Sequence, residues 1–326
     1  MLSEKQVAEF HEEGYLVVDD VLDDGQIHAL IDEIADEIDR CATSLVGAGL
    51  LSRSYSDEPF ERRLASITRE TDSVLNTIKA GRLSGPALFN MITAPQVLDV
   101  IESLCGSELV ASSVYRLRPK LPGHSGSNIP WHQDSGYFEP ACDDSLIVTV
   151  WIPLLDATEE RGCLSLMPRT HHHGVYRHSP HPGQVFLEIR QTDLPPVSPI
   201  RVPVRKRSIL LMTNTTPHTS LPNGSDVIRW SIDARYQSAD LPTNAPNVLR
   251  SAAVAPDAPP ACYPPEADFI VRSRLRPQSV CRDAAAFQTL RQSHQPQPVL
   301  DRWNLNEHGA GWRGYSGTYV TTTKTS

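Results

Sequence analysis

The chain has 326 residues, 40% hydrophobic and 21% charged, which is ordinary for a soluble protein with one large core or two small ones. Its net charge of −9 argues against non-specific partnership with nucleic acid or an acidic membrane surface, and no stretch approaches the roughly 20 apolar residues of a membrane span. The opening Met1-Leu2-Ser3-Glu4-Lys5-Gln6 lacks the apolar core of a signal peptide. Six cysteines (Cys41, Cys105, Cys142, Cys163, Cys262, Cys281) show no CxxC spacing, so the reading is a cytoplasmic protein with free thiols.

Ser3 followed by Gln6 predicts a capping box and a helix through Val7, Phe10 and His11 that Gly14 ends. Tyr15-Leu16-Val17-Val18 reads as a strand. Asp23 or Asp24 can cap a second helix, in which Ile27, Leu30, Ile31, Ile34 and Ile38 follow helical spacing. A looser helical region runs to about Gly106, with Val97, Val100, Ile101 and Leu104 again at that spacing. From Leu109 the texture changes to short β runs: Val114–Leu117, Ile129–Asp134, Leu146–Leu154, Cys163–Met167, Val185–Ile189, Ile200–Val204, Ile209–Thr213 and Val227–Tyr236. Strands at these intervals suggest a sandwich or jelly-roll, and helices first with strands later make the class α+β, mainly β. After Gln237 the chain is rich in proline, with one late helix expected over Asp283–Ser293. The expectation is a single domain over 1–326: a helical buttress at 1–108, a jelly-roll core at 109–237 and a Pro-rich wrap at 238–326.

The chemistry concentrates in Trp131-His132-Gln133-Asp134, answered downstream by Pro217-His218 and Arg229. His132 and Asp134 stand two apart, so on a strand they share a face. His218 lies 84 positions beyond Asp134, across several β runs and after the apolar run Ile209–Met212. Two imidazoles and one carboxylate on one face of a metal leave three octahedral positions open, the pattern of non-haem Fe(II) oxygenases. The bland alternative is a pair of ordinary hydrogen-bonded histidines. The consecutive His171, His172 and His173 point apart and read as loop residues rather than ligands, as do His124 and His181.

Arg229 lies eleven residues after His218 in the strand Val227-Ile228-Arg229-Trp230-Ser231-Ile232. An inward arginine there needs a buried anion, and the C5 carboxylate of 2-oxoglutarate fits its fork. The competing reading is a salt bridge to Asp226 or Asp233. Ser220 can add a hydroxyl to the same carboxylate.

These residues resemble the phytanoyl-CoA dioxygenase family over 1 to about 237. The matching pieces are Phe10-His11-Glu12-Glu13-Gly14-Tyr15-Leu16-Val17, then His132-Gln133-Asp134 with Tyr137-Phe138, and Trp151. They continue with Gly162-Cys163-Leu164 leading to Pro168, and His218-Thr219-Ser220-Leu221-Pro222-Asn223-Gly224-Ser225 with Arg229. The resemblance implies a cupin-like double-stranded β-helix with helices on one side. It implies Fe(II) on His132, Asp134 and His218, with 2-oxoglutarate clasped by Arg229 and bordered by Ser220 and Trp151. It extends less firmly to Arg118, or its neighbour Arg116. Departures are Arg169-Thr170-His171 after the proline, where the family often has Gly-Ser-His, and Arg161 in place of a common asparagine. The intact Asp134 favours hydroxylation or another oxidation over halogenation.

The implied activity consumes O2 and 2-oxoglutarate, releases succinate and CO2, and oxidises a small-molecule substrate such as a natural-product intermediate. Alternatives are desaturation, epoxidation or rearrangement, an acyl-CoA substrate held by Arg201, Arg205, Lys206 and Arg207, a cupin-type isomerase, and a non-catalytic metabolite-binding jelly-roll. The aromatic tail (Trp303, Trp312, Tyr315, Tyr319) has three open roles: folding over the pocket, pinning the tail to the core, or a homo-oligomer contact.

Overall fold

Ser3 and Gln6 close the expected capping box, the Gln6 amide donating to Ser3 Oγ at 3.3 Å and the Ser3 amide to Gln6 Oε1 at 3.0 Å. They start helix α1 (Glu4–Glu13), which Gly14 ends at φ 81°. Gly14 cannot be replaced cheaply: besides its left-handed φ, a Cβ there would lie 2.4 Å from His171 Nδ1. The computed structural model describes residues 1–79, 83–112, 115–138, 142–180, 186–241 and 268–293.

Strand β1 (Tyr15–Val18) leads to α2 (Asp24–Gly47), where Asp23 rather than Asp24 is the cap and forms a second capping box with Gln26. Ile27, Leu30, Ile34 and Ile38 are fully buried along one face of α2, as their spacing predicts. Four further helices complete the N-terminal part: α3 (Phe60–Thr68), α4 (Ser73–Lys79), α5 (Pro86–Ile92) and α6 (Pro95–Cys105). Pro86 and Pro95 stand at helix starts, where a missing N–H costs nothing.

The strands then follow: β2 (Leu109–Ala111), β3 (Arg116–Leu117), β4 (Ile147–Pro153), β5 (Leu164–Leu166), β6 (Ser179–Pro180), β7 (Leu187–Glu188), β8 (Ile200–Val202), β9 (Ile209–Thr213), β10 (His218–Ser220), β11 (Ser231–Ser238) and β12 (Phe269–Arg272), before helix α7 (Ala284–Ser293). A seven-stranded antiparallel sheet runs β1-β9-β4-β11-β2-β12, with β3 also on β11. A three-stranded sheet, β10-β5-β8, and the hairpin β6-β7 are separate. The class is therefore mixed, helices with antiparallel sheet.

Residue parity divides the large sheet. Val148, Val150 and Ile152 of β4, Ile209 and Leu211 of β9, and Ile232, Ala234 and Tyr236 of β11 join the helices in the main core. The opposite parity, with Trp151, Leu210 and Met212, packs against Leu164, Leu166 and Val202 of the small sheet. Both faces are buried, so each strand carries two sets of partners.

Several expected elements shift. Ile129–Asp134 is not a continuous strand: His132 makes an isolated bridge with His218, and a 3-10 turn begins at Asp134. His218 sits on its own short strand in the small sheet, not at the end of the Ile209–Thr213 strand. Strands β2 and β12 were not anticipated, because three or four buried apolar residues carry no readable alternation. The late helix matches expectation within a residue. Most of the Pro-rich segment, the aromatic tail and His181 lie outside the described residues. Among the described residues no helix is long and apolar enough to cross a membrane, and the five described cysteines are free thiols.

Candidate active site

The bridge between His132 and His218 is reciprocal: the His132 amide donates to the His218 carbonyl at 3.0 Å, and the His218 amide to the His132 carbonyl at 2.8 Å. Residues paired this way carry their side chains alongside one another, and the two imidazole centroids are 4.2 Å apart. Each ring is oriented by its own backbone. His132 Nδ1 lies 2.8 Å from the Pro130 carbonyl, and His218 Nδ1 lies 3.0 Å from the Thr216 carbonyl. A carbonyl only accepts, so Nδ1 carries the proton in both rings and Nε2 keeps its lone pair. Burial, with His218 alongside, holds the His132 imidazole well below its ordinary pKa, in the neutral form a metal needs.

Asp134 completes the cluster, and ligand atoms of His132, Asp134 and His218 all lie within 4.8 Å of one another. Its carboxylate is fixed by residues the sequence reading did not single out. Arg235 Nε donates to Oδ2 at 3.1 Å and Arg235 Nη2 to Oδ1 at 2.9 Å, while the Thr149 hydroxyl also donates to Oδ2. A carboxylate has about four acceptor positions, so these three donors leave one on Oδ1. Burial would raise the Asp134 pKa, but the Arg235 guanidinium overcomes it and holds the group well below the usual carboxylate range.

Gln133 locks the loop between the two ligands. Its Nε2 donates to the carbonyls of Gly174 at 2.8 Å and Thr215 at 2.6 Å, and its Oε1 accepts from the Tyr176 amide at 2.7 Å. The Gln133 amide donates to His178 Nε2 at 2.9 Å.

The charge on Arg235 is shared. Its Nη1 donates to Asp233 Oδ2 at 2.8 Å, and the half-buried Arg118 donates through Nε to Asp233 Oδ1 at 2.8 Å. Cations and carboxylates thus alternate from Arg118 through Asp233 and Arg235 to Asp134, so no member is left as an uncompensated buried charge. Arg118 reaches the expected cavity, but with its guanidinium committed to Asp233.

Arg229 behaves differently. It is 2% exposed, its Nη1 donates to Ser231 Oγ at 2.5 Å, and its Nε has no hydrogen-bond partner among the described residues. The competing salt bridges are taken by others: Asp226 pairs with Arg62, and Asp233 with Arg118 and Arg235. Among the described residues Arg229 has no carboxylate partner. Its guanidinium carbon lies 5.2 Å from the Trp151 ring centroid, and burial pushes its pKa down to about 10. A buried guanidinium with an orphaned donor is able to receive an anion.

Lys120 is a second buried cation at this end, also missed by sequence reading. Its Nζ meets Asn128 Oδ1 at 2.8 Å, Ser220 Oγ at 2.9 Å and the Ser127 carbonyl at 3.2 Å. Burial, with Arg229 alongside, pushes its amine down to about 6. The ammonium can donate to all three, whereas the neutral amine can donate to two, and an anion arriving at Arg229 favours the ammonium. Metal cluster, Lys120, Ser220, Trp151 and Arg229 share one cavity of about 240 Å³.

Among the described residues, His171, His172 and the basic run do not line the cavity. His171 Nε2 and His172 Nε2 both contact the His11 carbonyl, at 3.0 and 3.1 Å, and dock their turn on the end of α1. Arg169, the departure after Pro168, pairs with Glu13 at the same place. Arg201, Arg205, Lys206 and Arg207 find acidic partners in Glu159, Asp19, Asp20 and Asp24, as solvated surface pairs.

One signal for Arg235 was available. From Ile228 to Tyr236 the apolar residues hold one parity, and Arg229, Ser231, Asp233 and Arg235 hold the other. Four polar residues on one buried face mark a site wall. Lys120 carried no such signal.

Comparison with known proteins agrees with this geometry. The chain is 24% identical over 261 residues to phytanoyl-CoA dioxygenase domain-containing protein 1 of Danio rerio, covering 70% of this chain and 88% of that one. It is 22% identical over 246 residues to a probable alpha-ketoglutarate-dependent hypophosphite dioxygenase of Stutzerimonas stutzeri, covering 74% and 80%. Among solved structures, the non-heme monooxygenase ThoJ superposes with a TM-score of 0.57 at 18% identity, covering 89% of this chain and 96% of that one. The epimerase SnoN, solved with Fe3+, alpha ketoglutarate and nogalamycin RO, gives 0.53 at 18% identity, covering 82% and 98%. These two likenesses are of fold. The family model of phytanoyl-CoA dioxygenase matches residues 10–231, and the chain belongs to that family.

Proposed function

We propose that the protein is an Fe(II)- and 2-oxoglutarate-dependent dioxygenase that hydroxylates a C–H bond of a small organic molecule, such as a natural-product intermediate, with release of succinate and CO2. The described residues serve one catalytic domain, whose two facing sheets we read as a double-stranded β-helix. His132, Asp134 and His218 hold the metal, and Arg229 takes the C5 carboxylate of 2-oxoglutarate. Bound Fe(II) supplies activation of O2 at the coordination positions those three side chains leave open.

The chain's own residues do the rest. The two Nε2 atoms and the free position on Asp134 Oδ1 form a donor set of mixed nitrogen and oxygen, suited to Fe(II). Arg235 and Thr149 keep Asp134 ionised and stationary, which prevents its protonation from competing with metal binding. The fork of Arg229 discriminates a five-carbon diacid from shorter 2-oxo acids, because only the former reaches it. Trp151 and Leu164 line the cavity and keep water from the guanidinium.

The observation that carries this reading is Arg229: buried, without a carboxylate partner among the described residues, beside a two-histidine, one-carboxylate cluster. It is tested by adding Fe(II) and then 2-oxoglutarate to metal-free protein under anaerobic conditions. A weak visible charge-transfer band that needs both components, and is lost in Arg229→Ala, is the expected result. No band and no calorimetric binding of either component would refute it.

A further inference from the structure

Lys120 and Ser220 lie 100 residues apart in sequence and are joined by a buried hydrogen bond of 2.9 Å. With an anion at Arg229 favouring the ammonium, Lys120 has three hydrogens, and three acceptors receive them: Asn128 Oδ1, the Ser127 carbonyl and Ser220 Oγ. Lys120 therefore has no hydrogen left for a ligand. Ser220 is in the complementary position. Its Oγ accepts from Lys120 Nζ and from the Ile129 amide, both at 2.9 Å, which occupies both lone pairs of the hydroxyl. Its single hydrogen must then donate, and no acceptor for it is present among the described residues.

Ser220 lines the same cavity as Arg229, on the strand that carries His218 two residues earlier. We propose that Lys120 is a positioning residue: it fixes the Ser220 hydroxyl as a donor into the cavity, so that Ser220 and Arg229 grip the distal carboxylate of 2-oxoglutarate together. The inference rests on the assignment of that carboxylate to Arg229. Lys120 is held in place by its own close packing. A Cβ at Gly162, whose φ is +74°, would lie 2.8 Å from Lys120 Cε, so the glycine turn presses directly on the lysine stem. The motif glycine and the buried lysine are thus parts of one arrangement whose output is the direction of one O–H bond.

The test is a double-mutant cycle on 2-oxoglutarate affinity, read from the anaerobic charge-transfer titration of the Fe(II)-loaded protein. Ser220→Ala removes the donor, and Lys120→Met removes the group that orients it. Each should weaken 2-oxoglutarate by about tenfold, the loss expected for one hydrogen bond to a charged group. The double variant should be no weaker than the worse single variant, because Lys120 acts through Ser220. Fe(II) affinity before cosubstrate is added should be the same in all four proteins. Losses that multiply to about a hundredfold in the double variant would overturn the proposal, as would a changed Fe(II) affinity in Lys120→Met. Where Lys120→Met does not fold, Lys120→Gln keeps an N–H donor for Ser220 and should retain most of the parent affinity. A Lys120→Gln as weak as Ser220→Ala would also overturn it. Arg229→Ala in the same titration separates the two readings: insensitivity there refutes the carboxylate assignment itself, whereas sensitivity there with independent Lys120 and Ser220 effects refutes only the positioning role.

Discussion

Replacing Arg235 with methionine should destabilise the metal-free protein by about 3–5 kcal/mol, the loss expected when one partner of a buried ion pair is removed. Arg235 is 5% exposed and, toward the carboxylates among the described residues, makes three charge-assisted hydrogen bonds, two to Asp134 and one to Asp233. Without it Asp233 still has Arg118, but Asp134 keeps only the Thr149 hydroxyl. The deficit therefore falls on Asp134, where a bound divalent cation can replace the missing guanidinium. Urea unfolding at pH 7 with and without Fe(II), under anaerobic conditions, measures both quantities. Fe(II) should restore a larger share of stability in Arg235→Met than it adds to the parent. The sign with pH follows from the depressed Asp134 pKa: its stabilisation is present above the unfolded value near 4 and is lost as pH falls below it. The gap between parent and variant should accordingly narrow below about pH 4. A loss under about 1 kcal/mol, or one that Fe(II) does not reduce, would refute the account of Arg235 as the support of the metal carboxylate.

Other consequences can be measured on the same preparations. Because burial beside Arg229 pushes the Lys120 amine down to about 6 and an anion there favours the ammonium, 2-oxoglutarate binding should take up a proton. Its affinity should fall as pH rises from 6 to 8, by up to about tenfold per unit, and Lys120→Met should flatten that slope; a flat parent profile would refute the coupling. Asp134→Gly leaves the Arg235 donors and the Thr149 hydroxyl facing vacated space, so added chloride should raise the melting temperature of this variant and not that of the parent. A chloride-insensitive variant would show that the guanidinium finds another partner. Gln133→Ala strands the buried Tyr176 amide and frees two partly buried carbonyls, and should cost about 1–3 kcal/mol in urea unfolding while weakening Fe(II) binding. Fe(II) affinity equal to the parent's would show that the loop needs no such lock.

The sequence by itself determined the local and the chemical parts of this protein. The cap at Ser3, the second cap to within one residue (Asp23 or Asp24) and the buried spacing of Ile27, Leu30, Ile34 and Ile38 were legible because helix signals lie within a few residues of one another. The cluster of His132, Asp134 and His218 was legible because those residue types are rare in combination, and the inward placement of Arg229 because it alternates with apolar residues along its strand. Only the tertiary structure decided how these groups are held. That His132 and His218 meet on one antiparallel bridge, that Asp233 is taken by Arg118 and Arg235 and so is denied to Arg229, and that Lys120 reaches Ser220 across 100 residues are facts of pairing between distant segments. Local periodicity says which face a residue occupies. It does not say which residue of another strand lies opposite, and the charge balance of a buried site depends on that register.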